Sequence, residues 1–303
     1  MQILITILID NYIDKLVSRN SSSYYSPEVL CETDWVATKL ESKPDTVILE
    51  VDYDPENAYR KGHIPGAHLV WWKRDINDDV RRDIISKREF EQLMSRVGAN
   101  SDSTLVLYGD FNNWFAAFAF WVFKYYGHPS IKIMNGGRKK WELEKRNYSN
   151  EEPAAETSKY VAKPNDEGIR AYLQDVSRVM NRAESVLVDV RSPKEFSGEI
   201  TAPPEYPSEH AQRGGHIPGA QNIPWAQAVN DMDGTFKNAN ELKALYEGKG
   251  VTPDKHVICY CRIGERSSHS WFVLKYLLGY PSVQNYDGSW TEWGNMIGNP
   301  IEK

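Results

Sequence analysis

Short apolar runs alternate along the chain with longer segments whose apolar residues recur at helical spacing. In the second half, SVLVDV (185–190) reads as a strand, NANELKALYEGKG (238–250) as a helix and HVICY (256–260) as a strand. SSHSWFVLKYLLGYP (267–281) follows, with apolar residues at 271, 274 and 278 and a Gly-then-Pro stop, which predicts a helix and its end. SVQNYD (282–287) predicts another strand. The first half keeps this order with TLVLY (104–108), NWFAAFAFWVFKYYGHP (113–129) and SIKIMN (130–135). Such alternation predicts an α/β fold in which a mostly parallel central sheet is flanked by helices.

The two halves also share words. HIPGA occurs at His63–Ala67 and at His216–Ala220, an offset of 153; Gly136 and Trp141 find Gly288 and Trp293 at an offset of 152. Upstream, Asp52 of VILEVD and Asp189 of VLVDV stand 137 apart, so the second half carries an insertion before its HIPGA, the polar, Pro-rich TAPPEYPSEHAQRGG. The chain therefore reads as two copies of one domain. The expected division is an extension over 1–24, a first domain over 25–150, a turn-rich linker over 151–168 and a second domain over 169–303.

Composition narrows the function. The net charge of −6 and the lack of a basic run of five or more argue against a nucleic-acid partner. The longest apolar run, ILITILI near the N-terminus, is far short of the roughly 20 residues of a spanning helix, and it has neither the charged start nor the cleavage site of a signal peptide. No membrane partner is expected, and the run reads as a frayed helix or a non-native start. Three cysteines, Cys31, Cys259 and Cys261, are too few and too odd in number for a disulfide framework, and point to a reducing, cytoplasmic setting. No second Cys or His pair at ligand spacing accompanies Cys259 and Cys261, so no metal site is expected.

Cys261 is the candidate for chemistry. It ends the HVICY strand and opens the loop Cys261-Arg262-Ile263-Gly264-Glu265-Arg266, before a Ser-rich helix start. Parallel α/β sheets place ligand sites beyond the carboxyl ends of strands. A tight loop entering a helix can aim several N–H groups inward, and the helix dipole and arginines favour a thiolate. Gly264 suits a positive φ, and Ser267 or Ser268 suits the helix N-cap. Arg262 and Arg266 add positive charge, Glu265 subtracts some, and Arg191, which falls opposite Asp54 of the first copy, could bind an oxyanion substrate. Bland readings serve elsewhere. Cys259 shares a strand face with Cys261 and reads as a buried thiol, and Cys31 as incidental. His63 and His216 recur in both copies and read as structural, and Asp189 as a strand-end hydrogen-bond acceptor. Trp225 and the Trp114–Phe123 stripe read as packing.

CRIGERSSHSWFVLKYLLGYP, HIPGAQNIPW, DVRSPKEFSGE and YDGSWTEW in the second half, with NGGRKKW and HIPGA in the first, resemble the rhodanese family, and among its members the tandem-domain thiosulfate sulfurtransferases. The similarity spans roughly residues 25 to 300. The resemblance implies two tandem rhodanese-like domains, the first catalytically silent: Cys261 and Arg262 fall opposite Gly109 and Asp110 at offset 152. It implies a ping-pong cycle in which Cys261 attacks thiosulfate, sulfite leaves, and the Cys261 persulfide passes its sulfur to cyanide or a thiol. Arg262, Arg266 and Arg191 would bind substrate, with Ile263, Gly264, Glu265 and Ser267 forming the loop, and no cofactor or metal is needed. The vertebrate thiosulfate enzymes carry a Lys where this chain has Ile263. Arg262 favours thiosulfate over 3-mercaptopyruvate, the alternative donor, whereas Glu265 and the missing Lys suit a persulfide carrier that serves a protein sulfur acceptor.

Overall fold

The computed structural model describes residues 24–42, 45–154, 157–203 and 210–303. The N-terminal apolar run and part of the Pro-rich insertion lie outside the described residues. Twelve strands occur among them: β1 (Leu30–Cys31), β2 (Thr46–Asp52), β3 (His68–Trp71), β4 (Asn77–Asp78), β5 (Asp83–Ile84), β6 (Thr104–Tyr108), β7 (Ile131–Met134), β8 (Arg170–Ala171), β9 (Ser185–Asp189), β10 (Gln221–Asn222), β11 (His256–Tyr260) and β12 (Val283–Tyr286). One sheet runs β1-β7-β6-β2-β3 and the other β8-β12-β11-β9-β10, all pairs parallel. The second order repeats the first strand for strand, so both halves carry the same α/β domain.

Register refines the repeat. β2 pairs Glu50 with Tyr108, and β9 pairs Asp189 with Tyr260. The structural counterpart of Asp189 is therefore Glu50, not Asp52, and Arg191 faces Asp52 rather than Asp54. Two acids in VILEVD, Glu50 and Asp52, had concealed a slip of two residues. Strand-end acceptors do recur: the Tyr108 hydroxyl donates to Glu50 and accepts from the Ile64 amide, and Tyr260 accepts from the Ile217 amide.

His63 and His216 are structural in both copies. Each bonds a carbonyl through Nδ1, that of Tyr59 at 3.0 Å and that of Phe196 at 2.9 Å, and stacks on the same residue's ring. Cys31 is a correction: it lies in β1, is buried, and packs in the core with Val106, Tyr108 and Met134. Cys259 is a buried core thiol.

Two helices form the seam between the domains. Trp114–Tyr125 is apolar on nearly every side and is buried along its length apart from Lys124. A helix of that kind needs cover all round. The Glu265–Phe272 helix of the second domain provides it: Phe120 packs against Trp271, Phe272 and, just beyond, Tyr276. Every residue of that second helix is buried, so the amphipathic pattern expected there gives way to a helix enclosed by its sheet and the first domain. It ends in a π-helical turn, Val273–Leu277. Residues 157–166 follow the first domain, bonding Ser95, Glu91 and Tyr125.

Candidate active site

The polypeptide leaves β11 at Tyr260, and Cys261 through Gly264 turn it into the Glu265–Phe272 helix. Gly264, not Ser267 or Ser268, is the N-cap, with φ +99°. A side chain there would be strained and would place Cβ 2.7 Å from Asp287 Cα. Loop carbonyls are drawn outward by the short Ser289–Trp293 helix, whose Trp290 and Thr291 amides donate to the carbonyls of Cys261 (3.1 Å) and Arg262 (3.0 Å). Asn285 Nδ2 holds the Gly264 carbonyl at 3.2 Å. With these carbonyls engaged, the Gly264 amide donates to Cys261 Sγ at 3.1 Å. Ser289, at φ 53°, accepts from the Cys261 amide at 3.0 Å and donates to the Tyr286 carbonyl at 2.6 Å. Ser267 Oγ lies 3.6 Å from Sγ and 2.6 Å from Asn285 Oδ1, and its single proton serves one acceptor at a time.

The charges differ from the expected thiolate cradle. Cys261 is fully buried, and its thiol donates to Glu265 Oε2 at 3.3 Å. Burial pushes the thiol pKa up and Glu265 adds to this, while Arg266 and Ser267 pull it down; the net shift is upward. Arg266 is not free for substrate: Nη1 and Nη2 grip Glu195 Oε2 and Oε1, each at 3.0 Å, in a buried fork. Burial raises the Glu195 carboxyl, but Arg266 more than offsets it, and the carboxyl is held low. Glu195 reaches this position from the Pro193–Ser197 helix, whose N-cap Ser192 forms a capping box with it.

Arg191 is likewise engaged within the protein. It is fully buried, donates to both oxygens of Asp189 and to the Gly215 carbonyl, and lies over the Trp290 ring at 4.6 Å. This is a buried ion pair in which Nη1 has no hydrogen-bond partner among the described residues. In the first copy Arg138 serves Glu50 from the position that Trp290 holds in the second. Each copy thus supplies an arginine to the same strand-end carboxylate from a different element, the Gly137–Leu143 helix in the first and the turn after β9 in the second.

A cleft of ≈ 260 Å³ adjoins the loop. Arg262, Ile263 and Asp287 form its second-domain wall; the first domain supplies Tyr53, Trp72, Phe118 and the β4–β5 hairpin. Arg262, Lys73 and Arg82 share the lining with Asp78, Asp79, Asp83 and Asp287, so the cleft is not basic. Trp225 lies outside it, packed edge-on against Trp114 and His269. Among the described residues, no group of three or more His, Cys, Asp or Glu could hold a metal ion, and no helix is long and apolar enough to cross a membrane.

In the first copy Gly109 takes the place of Cys261. Its amide is capped by Asn113 Oδ1 at 3.0 Å, and the Arg138 amide holds its carbonyl as Trp290 holds that of Cys261. The scaffold of the loop is kept while the thiol is absent. Sequence reading missed Glu195, Asn285 and Ser289; for Ser289 a signal existed, because it stands at the repeat position of Gly137 and both adopt positive φ.

The fold and loop define a duplicated parallel α/β protein with a single thiol site at a strand end facing the domain seam. Known proteins give the class a name. The model of the rhodanese-like domain matches twice, at residues 32–144 and 173–296, and the chain belongs to the rhodanese family of sulfurtransferases. Among its relatives are the sulfur carrier protein TtuD of Thermus thermophilus, 58% identical over 92% of this chain and 98% of that one, and a Haloferax volcanii protein described as "Putative thiosulfate sulfurtransferase", 51% identical over 93% and 99%. An anaerobic ergothioneine biosynthesis enzyme from Chlorobium limicola shares the fold, with TM-score 0.82 and 24% identity over 92% of this chain and 71% of that one.

Proposed function

We propose that this sulfurtransferase moves sulfane sulfur from thiosulfate to a thiol acceptor through a persulfide on Cys261, with cyanide able to replace the thiol in an assay. Cys261 Sγ attacks the outer sulfur of thiosulfate, the sulfur–sulfonate bond breaks, and its electron pair leaves with sulfite. The acceptor thiolate then takes the terminal sulfur and Cys261 is restored. The supporting observation is the Gly264 amide 3.1 Å from Sγ, in a loop whose Cys261, Arg262 and Gly264 carbonyls are bonded elsewhere. That amide can receive the negative charge of the persulfide. Arg262, on the cleft wall, is suited to the donor's sulfonate, and Arg266, fixed by Glu195, braces the loop. The test is the mass of the purified chain after thiosulfate treatment: a gain of one sulfur atom that Cys261→Ser abolishes is expected. No gain, or an equal gain in the variant, rejects the reading.

A second reading is a relay that accepts sulfur from another protein's persulfide. The charge balance favours it, since Glu265 and Glu195 oppose Arg262 and Arg266 and leave no surplus to attract a dianion. The name of the Thermus relative points the same way. Comparing kcat/KM for thiosulfate and 3-mercaptopyruvate with loading by a cysteine-persulfide protein separates the donors.

A further inference from the structure

Glu265 is an unexpected neighbour for a nucleophilic sulfur. It opens the catalytic helix, is 2% exposed, and sets Oε2 3.3 Å from Cys261 Sγ, placed to accept the thiol hydrogen. A carboxylate there disfavours the thiolate that a nucleophile needs, unless it also takes the proton.

The surroundings support that second role. Arg262 Nη2 lies 3.9 Å from Glu265 Oε1, and Arg266 Nε lies 3.8 Å from it while its fork holds Glu195. Across the loop Asp287 packs on Gly264 and is held by Arg170 at 2.8 Å, with Arg82 of the first-domain hairpin 3.4 Å from the Asp287 carbonyl. Cys259, Ser267, Asn285 and Ser289 are the remaining polar neighbours, none of them a base at neutral pH. The arginines around the loop all stand beside carboxylates. The only carboxylate bonded to Sγ is that of Glu265 among the described residues.

We propose that Glu265 is a catalytic residue that carries the proton of the Cys261 thiol through both halves of sulfur transfer. This rests on the persulfide reading above. In loading, Sγ forms its bond to the donor sulfur, the donor's own sulfur bond breaks with its electron pair going to the leaving group, and the thiol proton passes to Glu265 Oε2. The products are Cys261–S–S⁻, a protonated Glu265 and, from thiosulfate, sulfite. In unloading, an acceptor thiolate takes the terminal sulfur, and Glu265 returns the proton as Sγ departs. Charge balances in each half, and no oxidant or reductant is needed. Cys261 rests and leaves as a neutral thiol, the form that its buried position favours.

The experiment compares the whole chain with Glu265→Gln, which keeps the shape of the side chain. Single-turnover loading from thiosulfate is followed between about pH 6 and 9. The proposal expects a loss of about 100-fold at neutral pH, with the acid limb of the profile moved to higher pH because the variant must wait for free thiolate. In parallel, thiolate absorbance is titrated against a Cys261→Ser blank. Removing the neighbouring charge should lower the apparent Cys261 pKa by about one unit or more. If Glu265→Gln folds poorly, Glu265→Ala with added formate replaces it, and recovery of rate by formate is expected. A variant as fast as the parent at pH 6, or a slow one with an unmoved profile, an unmoved titration and no rescue, overturns the proposal. The titration needs no donor, so it still reads Glu265 where thiosulfate loads no sulfur. Failure of loading in the unaltered chain counts against the donor alone.

Discussion

Changing Glu195 to Gln removes one charge from beneath the Cys261 loop and leaves the other in place. The carboxylate and the Arg266 guanidinium are both buried and meet in two bonds of 3.0 Å. At an effective dielectric of about 20, charges this close attract by roughly 5–6 kcal/mol. Desolvation of both ions offsets much of that when the pair forms. The variant recovers little of the offset, because the guanidinium stays buried with Glu265 Oε1 at 3.8 Å as its nearest remaining carboxylate. The expected loss of stability is about 3–5 kcal/mol. Urea unfolding near pH 7, followed by tryptophan fluorescence and by circular dichroism, measures it. The Arg266→Gln partner and the double variant close a cycle that isolates the pair. The folded pKa of Glu195 lies below its ordinary 4.5. Its contribution is therefore complete above about pH 4.5 and fades as pH falls through the lower folded value, so the gap between parent and variant should narrow in acid. A gap under about 1 kcal/mol near neutrality, or one that widens in acid, would refute the assignment of this fork as the brace of the loop.

Gly264→Ala should slow sulfur loading at least tenfold, because φ of +99° and the 2.7 Å approach to Asp287 force the loop open and withdraw the amide from Sγ; single-turnover rates check this. Gly109→Cys should lower the melting temperature and create no second sulfur site, since Cβ would lie 2.4 Å from the Val51 carbonyl; the mass of the loaded variant should show one sulfur per chain. Asp52→Asn should stabilise the chain at neutral pH. Burial, with Glu50 next, raises the Asp52 pKa to about 9 from 3.8, so folding into a site that favours the neutral acid costs progressively more as pH rises from about 4 toward 9. Denaturant midpoints should show the gain growing over that range.

The strand–Cys261–loop–helix arrangement was legible because it depends on local order: an apolar run, a glycine able to take positive φ, and a repeat that lacks the thiol. The partners of its charges were not. Glu195 stands 71 residues from Arg266, and nothing in its surroundings other than a capping box marks it as buried. Arg191 looked like a substrate ligand because the aligned first copy had no cation there. The register shows instead that the two copies supply that cation from different elements, a helix in the first and the turn after β9 in the second. VILEVD carries acids at both Glu50 and Asp52, either of which could match Asp189, and a slip of two residues keeps every side chain on its face, so the alternation gave no warning. Glu265 was legible as a charge, but its direction was not. Whether it faced solvent or sulfur depended on the helix beginning at residue 265 rather than at Ser267.

A copy without a thiol still has a physical use. The β4–β5 hairpin of the first domain overhangs the Cys261 loop: Arg82 reaches the Asp287 carbonyl and Asp83 bonds Arg170. At the same repeat offset, the Val229–Phe236 bridge of the second domain overhangs the silent loop, where the Phe236 amide donates to Asn135 and the Lys139 ammonium to the Asp231 carbonyl. The two domains exchange covers. A single domain would present its loop to water on the side where Arg262 and Ile263 now face a cleft, and would expose the Trp271, Phe272 and Tyr276 side chains that meet Phe120. The first domain can lose its thiol without loss to the second, because what it contributes is a wall and an apolar partner. Both are properties of its hairpin and its Trp114–Tyr125 helix, and neither involves the residue at position 109.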